Sequence, residues 1–163
     1  MTRQALTRRD FPATFVLFAA LAGAVAIAKA QSKPAPDIYP APEAAQGEIK
    51  AALAQAARLH KRVLLDFGGN WCGDCRVLYK YLHQEPNAAL FKANFLLVEV
   101  NIGRFDKNKD IAEQYGVPLD KGVPALAVLD ANGQTVFSQR KGEFESMRKM
   151  DPSSVTEFLK HWK

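Results

Sequence analysis

Cysteine and histidine are scarce in this sequence: its 163 residues include two cysteines and three histidines. A framework of structural disulfides needs more cysteines, spread along the chain, and here Cys72 and Cys75 stand three positions apart. A four-ligand zinc site normally needs a second pair of ligands, and His60, His83 and His161 have no metal-ligand spacing. We therefore expect no metal and no other cofactor.

Outside residues 1–30, the sequence also has almost no excess of positive or negative charge. The formal net charge is +5, but those residues contain four basic groups and one acidic group, which leaves 18 basic and 16 acidic residues in the rest of the chain. No basic stripe interleaved with aromatic residues is present in the sequence, so we expect no nucleic-acid partner. Apolar residues make up 48% of the chain, enough for one domain with a packed core.

Residues 1–30 have the three parts of an export signal. A basic start is followed by an uncharged apolar run over residues 15–27. The Ala-Lys-Ala sequence at residues 28–30 then places small residues at both positions that a signal peptidase reads. Cleavage would therefore fall before Gln31.

The route of export and the fate of the signal are separate questions. The Thr-Arg-Arg-Asp-Phe sequence at residues 7–11 resembles the twin-arginine signal of bacterial export, although Pro12 stands where that pattern prefers leucine. An uncleaved signal would act as a membrane anchor, because the 18 uncharged residues 11–28 lie at the lower edge of the roughly 17–25 that span a bilayer. In both cases we expect the folded part in the periplasm, either free or anchored to the inner membrane.

Residues 31–45 contain four prolines among alanine and serine, which predicts an extended tether, and residues 46–163 form the predicted domain. Apolar periodicity and turn residues predict five helices and four strands in that domain. Residues 37–39 are the only candidate for an earlier strand. The predicted helices cover about residues 46–61, 72–83, 86–94, 109–115 and 152–162, and the predicted strands cover residues 62–67, 95–102, 125–129 and 135–139.

The order of these elements defines the fold class. Strands separated by helices imply parallel crossovers, and the last two strands, joined by a turn at residues 130–133, make an antiparallel hairpin. We therefore predict an α/β fold with a mixed central sheet and helices on both faces. In the first helix, the predicted buried face consists of Ile49, Leu53, Ala56, Ala57 and the Leu59/His60 pair.

The Cys-Gly-Asp-Cys motif at residues 72–75 opens one of the predicted helices and carries the chemistry. Cys72 would lie at the helix N-terminus, where unpaired N–H groups and the helix dipole favour a thiolate. Cys75, one turn into the helix, would be shielded and would serve as the second thiol of a dithiol–disulfide couple. Two cysteines at this spacing also fit half of a zinc site or two inert thiols, so the motif alone leaves the class of site open.

Several segments, in the right order and at suitable spacing, resemble the thioredoxin superfamily over about residues 47–162. The resemblance implies a thioredoxin-like fold and a thiol–disulfide oxidoreductase. The matching segments are Val-Leu-Leu-Asp-Phe at 63–67, Trp-Cys-Gly-Asp-Cys at 71–75, Val-Asn-Ile at 100–102, Tyr-Gly-Val at 115–117 and Gly-Val-Pro-Ala at 122–125.

The same resemblance implies roles for single residues. Cys72 would be the nucleophile and Cys75 the resolving cysteine. Asp66 would be the buried acid that relays a proton to or from the resolving thiol. Pro124 would be the cis-proline beside the active site, which leaves the backbone of Val123 free to pair with an extended substrate strand.

Other positions flank or depart from the family pattern. Trp71 matches the aromatic residue before the motif, and either contacts substrate or only packs. Asp74 stands where thioredoxins have proline, and its carboxylate would disfavour the Cys72 thiolate and shift the couple towards reducing behaviour. Glu99 replaces a strand lysine near the buried acid, so either two facing carboxylates raise at least one pKa or Glu99 points into solvent. Residues 118–121 lengthen the loop before the cis-proline, where they would shape substrate choice.

These observations predict an exported thiol–disulfide oxidoreductase that acts on protein disulfides, more as a reductant than as a strong oxidant, with a membrane or periplasmic redox partner. One alternative is a thioredoxin-fold binding or chaperone module whose cysteines are incidental. Another is a protein that holds a soft metal such as Cu(I) between Cys72 and Cys75, although the nearest methionine or histidine is His83. A thiol peroxidase would need a clear peroxide-activating arginine arrangement, which the sequence lacks, although Arg76 is adjacent to the motif.

Overall fold

A four-stranded mixed sheet forms the centre of the domain in a computed structural model that describes residues 36–163. The strands are β1 (Arg62–Gly68), β2 (Phe95–Asn101), β3 (Ala125–Leu129) and β4 (Thr135–Ser138), in the spatial order β2-β1-β3-β4. β1 runs parallel to β2 and antiparallel to β3, which pairs with β4 as an antiparallel hairpin. The predicted mixed sheet is confirmed. The predicted export signal and the start of the predicted tether lie outside the described residues.

Helices cover both faces of this sheet, as predicted. The helices are α1 (Ala45–Leu59), α2 (Gly73–Leu82), α3 (Asn87–Asn94), α4 (Lys109–Gln114) and α5 (Pro152–Trp162), with short 3-10 helices at Pro42–Ala44, Leu119–Lys121 and Met147–Lys149. Alternate side chains of β1 point to opposite faces, so that Val63 and Leu65 join a hydrophobic cluster with α1 and α4, while Leu64 joins a second cluster with α2, α3 and α5.

The buried face of α1 ends earlier than the sequence predicted. Leu59 is 47% exposed, and Ala57 and His60 are also exposed. His60 adopts a left-handed conformation (φ 53°) that ends the helix and turns the chain into β1. The apolar stripe therefore stops one turn before the predicted end. Its buried members are Ala45, Ile49, Ala52 and Ala56, with Leu53 packed at the edge.

Residues 36–44, called the strap below, are not the extended tether that the prolines predicted. Tyr39 is 2% exposed, Pro42–Ala44 forms a 3-10 helix, and α1 begins at Ala45, inside the predicted tether. Residues 37–39 form no strand. Their backbone pairs with the side chain of Asn70 instead. Proline removes backbone donors but does not prevent packing. The strap therefore can pack against the domain, and in the structure it does.

Candidate active site

Cys72 and Cys75 are joined by a disulfide, with their Cα atoms 5.3 Å apart. The chain leaves β1 at Gly68 and reaches α2 through a tight turn, closed by a hydrogen bond from the Cys72 N–H to the Gly69 carbonyl (2.9 Å). Cys72 is the N-cap residue of α2, and its Sγ accepts a hydrogen bond from the Cys75 N–H at 3.0 Å. The sulfur of Cys72 therefore lies on an otherwise unpaired N–H group of the helix N-terminus, where a thiolate is stabilised.

The Val123–Pro124 peptide bond is cis and lies beside the disulfide. The Val123 carbonyl oxygen is 3.7 Å from Cys72 Sγ. Cys72 retains 5% exposure, whereas Cys75 is fully buried. The lengthened loop before this bond contains the 3-10 helix Leu119–Lys121. The structure thus brings four of the predicted site residues together, namely Cys72, Cys75, Val123 and Pro124, and leaves Cys72 as the more accessible cysteine.

Asp66 lies in β1 and is 1% exposed. Its Oδ2 accepts a hydrogen bond from the Tyr39 hydroxyl at 2.8 Å, and its Oδ1 lacks a hydrogen-bond partner among residues 36–163. Burial raises the pKa of Asp66 to about 7, against the opposing effect of the Tyr39 hydrogen bond and with a further rise from the charge of Glu99. Asp66 can therefore change its protonation state near neutral pH.

Tyr39 is the neighbour of Asp66 that the sequence did not reveal. Burial, followed by the charge of Asp66, raises the pKa of Tyr39 well above its ordinary value, so its phenol stays protonated and donates. A Cβ built on Gly68 would lie 2.4 Å from Tyr39 Oη and 2.8 Å from Cys75 Sγ. Tyr39 Oη and Cys75 Sγ therefore border the same small space beside Gly68 and lie close to each other. The only sequence signal for this contact is the Ile38-Tyr39 pair in a segment of otherwise small and polar residues.

Asp74, whose carboxylate was expected to disfavour the Cys72 thiolate, is paired with Arg148 in the structure. Its two oxygens accept hydrogen bonds from the Arg148 backbone N–H (2.9 Å) and Nε (3.0 Å), and Arg148 Nη2 lies 2.9 Å from Oδ2. Desolvation works to raise the pKa of Asp74, but the hydrogen bonds and charge of Arg148 outweigh it, so the pKa lies below its ordinary value. The guanidinium compensates the negative charge that was expected to disfavour the Cys72 thiolate.

Replacing Arg148 should therefore expose the effect of Asp74 on Cys72. In a Cys75→Ser background, which leaves a single thiol, we expect Arg148→Gln to move the midpoint of the pH–alkylation profile upward by roughly half a pH unit. The shift should shrink at high salt, because exposed charges are screened. Arg58→Gln is the matched control, since Arg58 lies in the last turn of α1, at the opposite end of β1 from Cys72. Equal midpoints in both variants would show that Arg148 does not influence the thiolate.

Glu99 on β2 is the register partner of Asp66 on the neighbouring parallel strand. Partial burial raises the pKa of Glu99 against the opposing charge of His83. Glu99 in turn raises the pKa of Asp66. The outcome combines the two alternatives drawn from the sequence: Glu99 acts on the buried acid while remaining partly exposed.

Trp71 stands beside the motif as an exposed aromatic residue, with 40% of its surface accessible. Its Nε1 donates a hydrogen bond to the Gly103 carbonyl, and the Arg104 guanidinium lies 5.4 Å from the ring centroid. Phe105, also 40% exposed, packs against Trp71 with ring centroids 5.5 Å apart. The sequence did not single out Arg104 or Phe105, because their proximity to Trp71 depends on how the loop after β2 folds back.

Two kinds of feature are absent from the part of the chain that the structure describes. No group of three or more histidine, cysteine, aspartate or glutamate side chains in residues 36–163 is arranged to hold a metal ion. Over the same residues, no helix has the length and apolar character required to cross a membrane.

The fold and the cysteine site define a known class of protein. Residues 44–131, more than half of the chain, match the family model described as thioredoxin-like, and the chain belongs to this family. With the Cys72–Cys75 disulfide at the start of α2, it is a thioredoxin-like disulfide oxidoreductase.

Individual proteins with similar sequences or structures include disulfide-exchange proteins and thioredoxins. A solved structure of the disulphide isomerase from Xylella fastidiosa Temecula1 is 38% identical, with a TM-score of 0.69, and the match covers 72% of this chain and 89% of that chain. The thiol:disulfide interchange protein DsbD of Photorhabdus laumondii is 28% identical over 103 residues, which are 63% of this chain but 16% of DsbD. A thioredoxin of Buchnera aphidicola is 35% identical over 66 residues, 40% of this chain and 53% of that protein. The chain therefore spans only a small part of the DsbD protein that it matches.

Proposed function

We propose that this domain is exported and reduces disulfides in other proteins, with Cys72 as the nucleophile and Cys75 as the resolving cysteine. The observation that carries the proposal is the position of Cys72: it caps α2, its Sγ lies on the Cys75 N–H, and the cis Val123–Pro124 bond lies beside it. The arrangement stabilises a thiolate on the accessible cysteine and keeps the second sulfur buried for the later step.

In the proposed cycle, the Cys72 thiolate attacks one sulfur of a substrate disulfide. A mixed disulfide forms between Cys72 and that sulfur, and the other substrate sulfur leaves as a thiolate with the electron pair. Cys75 then loses its proton and attacks Cys72, which closes the intramolecular disulfide and releases the second substrate thiolate. The substrate has gained two electrons, and the domain ends in the disulfide form seen in the structure. A dithiol partner at the membrane or in the periplasm then has to reduce the pair again.

The substrate is proposed to be an extended polypeptide segment around its disulfide. The backbone of Val123, whose carbonyl oxygen lies 3.7 Å from Cys72 Sγ, is the edge on which such a segment would pair. Trp71, which precedes the motif, and Phe105 provide an exposed apolar surface. Aromatic side chains of this kind bury large areas at protein interfaces, so they fit a protein substrate better than a small thiol.

Asp66, rather than Asp74, supports the proposed reductive direction. Because Arg148 compensates Asp74, that residue no longer argues for a reductant. A buried carboxylate near Cys75 disfavours a thiolate on the resolving cysteine, which destabilises the reduced anionic pair. Destabilising the reduced form makes a dithiol a better reductant.

Export is proposed from residues 1–30, which have the composition of a signal peptide. A disulfide-exchange role also fits the names of the relatives, a disulphide isomerase and a thiol:disulfide interchange protein. The domain would then work in the periplasm, either released from its signal or anchored by it to the inner membrane.

The reduction potential of the Cys72–Cys75 couple tests the proposal. The purified chain is equilibrated with thiol buffers of graded potential, and the oxidised fraction is read by alkylation and mass spectrometry. We expect reversible two-electron behaviour with a potential of roughly −250 mV or lower, in the range of thioredoxin. Cys72→Ser is the control, because it should abolish the transition.

Two other results would each change the proposal. A potential near about −120 mV, typical of strong oxidants, would make the domain a disulfide donor. Failure to form the disulfide reversibly would reject the redox function and favour a binding module or a soft-metal site at the two cysteines.

A further inference from the structure

Side chains of the domain hold the strap in place at the active site. Asn70, which follows the Gly68-Gly69 turn, accepts hydrogen bonds on its Oδ1 from the N–H groups of Ile38 (2.8 Å) and Tyr39 (2.9 Å). Its Nδ2 donates to the Tyr39 carbonyl at 2.9 Å. One asparagine side chain thus satisfies three backbone groups around Tyr39, which fixes where that residue lies.

Three further side chains extend this attachment along the strap. Arg76, next to Cys75, donates through Nη1 to the Pro36 carbonyl and through Nη2 to the Asn70 carbonyl, both at 3.0 Å. Asn101, at the end of β2, donates to the Pro40 carbonyl (2.7 Å), and Asn108 donates to the Pro42 carbonyl (2.8 Å). The strap is therefore joined to the end of β2 and to α2, the helix that carries the cysteines.

The attachment places one phenol in contact with a buried acid and near a buried sulfur. The Tyr39 hydroxyl donates to Asp66 Oδ2 at 2.8 Å. The space that a Gly68 side chain would fill is bounded by Tyr39 Oη and Cys75 Sγ. Asp66 is 1% exposed and Cys75 is 0% exposed, so neither exchanges protons with bulk water directly.

We propose that Tyr39 transfers the proton between Cys75 and Asp66 during the resolving step. This inference rests on the proposed function and names the path of one proton within it. As Cys75 attacks the mixed disulfide, its thiol proton passes to Tyr39 Oη while the phenol proton passes to Asp66 Oδ2. The S–S bond between Cys72 and substrate breaks, the bond between Cys72 and Cys75 forms, and the substrate sulfur leaves with the electron pair. Tyr39 ends as a neutral phenol and Asp66 as a neutral acid.

The charges around Asp66 suit this transfer. Burial raises the pKa of Asp66, the Tyr39 hydrogen bond lowers it, and Glu99 of β2 raises it further. Glu48 of α1 and His83 act on Glu99 with opposite signs. β3 contributes only the apolar Leu126 opposite Asp66. The balance gives Asp66 a pKa of about 7, so it can take up the proton and later release it near neutral pH.

Tyr39→Phe tests the transfer, because it removes the hydroxyl and keeps the ring. The reduced full-length chain is mixed in a stopped-flow instrument with one equivalent of dithiobis(nitrobenzoate), which releases a coloured thiolate at each exchange. The first release reports attack by Cys72, and the second reports resolution by Cys75. In Tyr39→Phe we expect the second phase to slow by about tenfold or more near pH 7 and its pH midpoint to rise. The first phase should stay within about twofold of wild type. Tyr115→Phe, which alters another buried tyrosine, should leave both phases unchanged.

Each outcome has a distinct meaning. If wild type shows no second release, the proposed function fails. If wild type shows both phases and Tyr39→Phe keeps the wild-type rate and pH midpoint of the second, Tyr39 only packs and this inference is overturned. Asp66→Asn provides a second background without the buried charge, in which Tyr39→Phe should add less than about twofold slowing because both residues act in one relay. Independent, multiplicative effects of the two substitutions would also overturn the inference.

Discussion

At pH 8, Asp66→Asn should raise the free energy of unfolding of the oxidised chain by about 4 kcal/mol over wild type. The reason is the cost of keeping a buried carboxylate ionised with one oxygen unpaired. Burial raises the pKa of Asp66 from 3.8 to about 7, and each pKa unit corresponds to about 1.4 kcal/mol. The amide keeps the shape of the acid and can still accept from Tyr39, but carries no charge.

The sign of this effect sets its pH dependence. Between about pH 4 and pH 7 the folded chain holds a proton on Asp66 that the unfolded chain has lost. The contribution of Asp66 to the free energy of unfolding of wild type is therefore fully present below about pH 4 and is lost as the pH rises to about 7. The advantage of Asp66→Asn should be small at pH 4.5 and should reach its full value at pH 8.

Urea denaturation of both chains at the two pH values measures this difference. Asp110→Asn is the control, because Asp110 is exposed at the start of α4 and its replacement should change stability by less than about 0.5 kcal/mol. If the difference in free energy of unfolding between wild type and Asp66→Asn is the same at both pH values, Asp66 carries no buried charge at pH 8. The expected gain in stability comes with slower resolution by Cys75, as is common when an active-site group is removed.

Gly68→Ala should lower the free energy of unfolding by about 3 kcal/mol, because a methyl group there overpacks the site and breaks a hydrogen bond. The added Cβ would lie 2.4 Å from Tyr39 Oη, 2.7 Å from Tyr39 Cζ and 2.8 Å from Cys75 Sγ. The φ of Gly68 lies outside the left-handed range, so alanine is hindered by space and not by the backbone. Relieving the overlap means moving Tyr39 away from Asp66.

Gly47→Ala is the matched control, and its expected effect has the opposite sign. Gly47 lies in α1, and a Cβ built there has no atom within 4 Å. Alanine should therefore stabilise the chain by about 0.5–1 kcal/mol, through helix propensity alone. Urea denaturation of the oxidised proteins compares the two variants. In Gly68→Ala, adding Tyr39→Phe removes the closest contact and should recover part of the loss; purely additive effects would show that the methyl group does not displace Tyr39.

The secondary structure followed closely from the sequence, because the strands are short apolar runs bounded by turn residues. β3 has its predicted bounds, and β1, β2 and β4 differ from theirs by one residue at one end. β1 is buried on both faces of the sheet, which makes its pattern continuous rather than alternating. The cis bond before Pro124 followed from the family resemblance and not from any local pattern.

The partners of the two carboxylates could not be predicted in the same way. Asp74 and Arg148 are 74 positions apart, and Tyr39 and Asp66 are 27 apart. Composition describes what a segment prefers locally, and the prolines of the strap do disfavour regular structure. Local preference carries no information about which distant side chain a carboxylate will meet once the sheet and α2 have formed.

The same two contacts join the part of the chain that the family model covers to residues outside that part. The family match covers residues 44–131, which hold both cysteines, Asp66 and Asp74. Tyr39 precedes that segment and Arg148 follows it. Two proteins that match this family model can therefore have the same cysteine motif and the same acids yet differ in redox behaviour, because the model does not cover the positions of Tyr39 and Arg148, whose side chains bind those acids here.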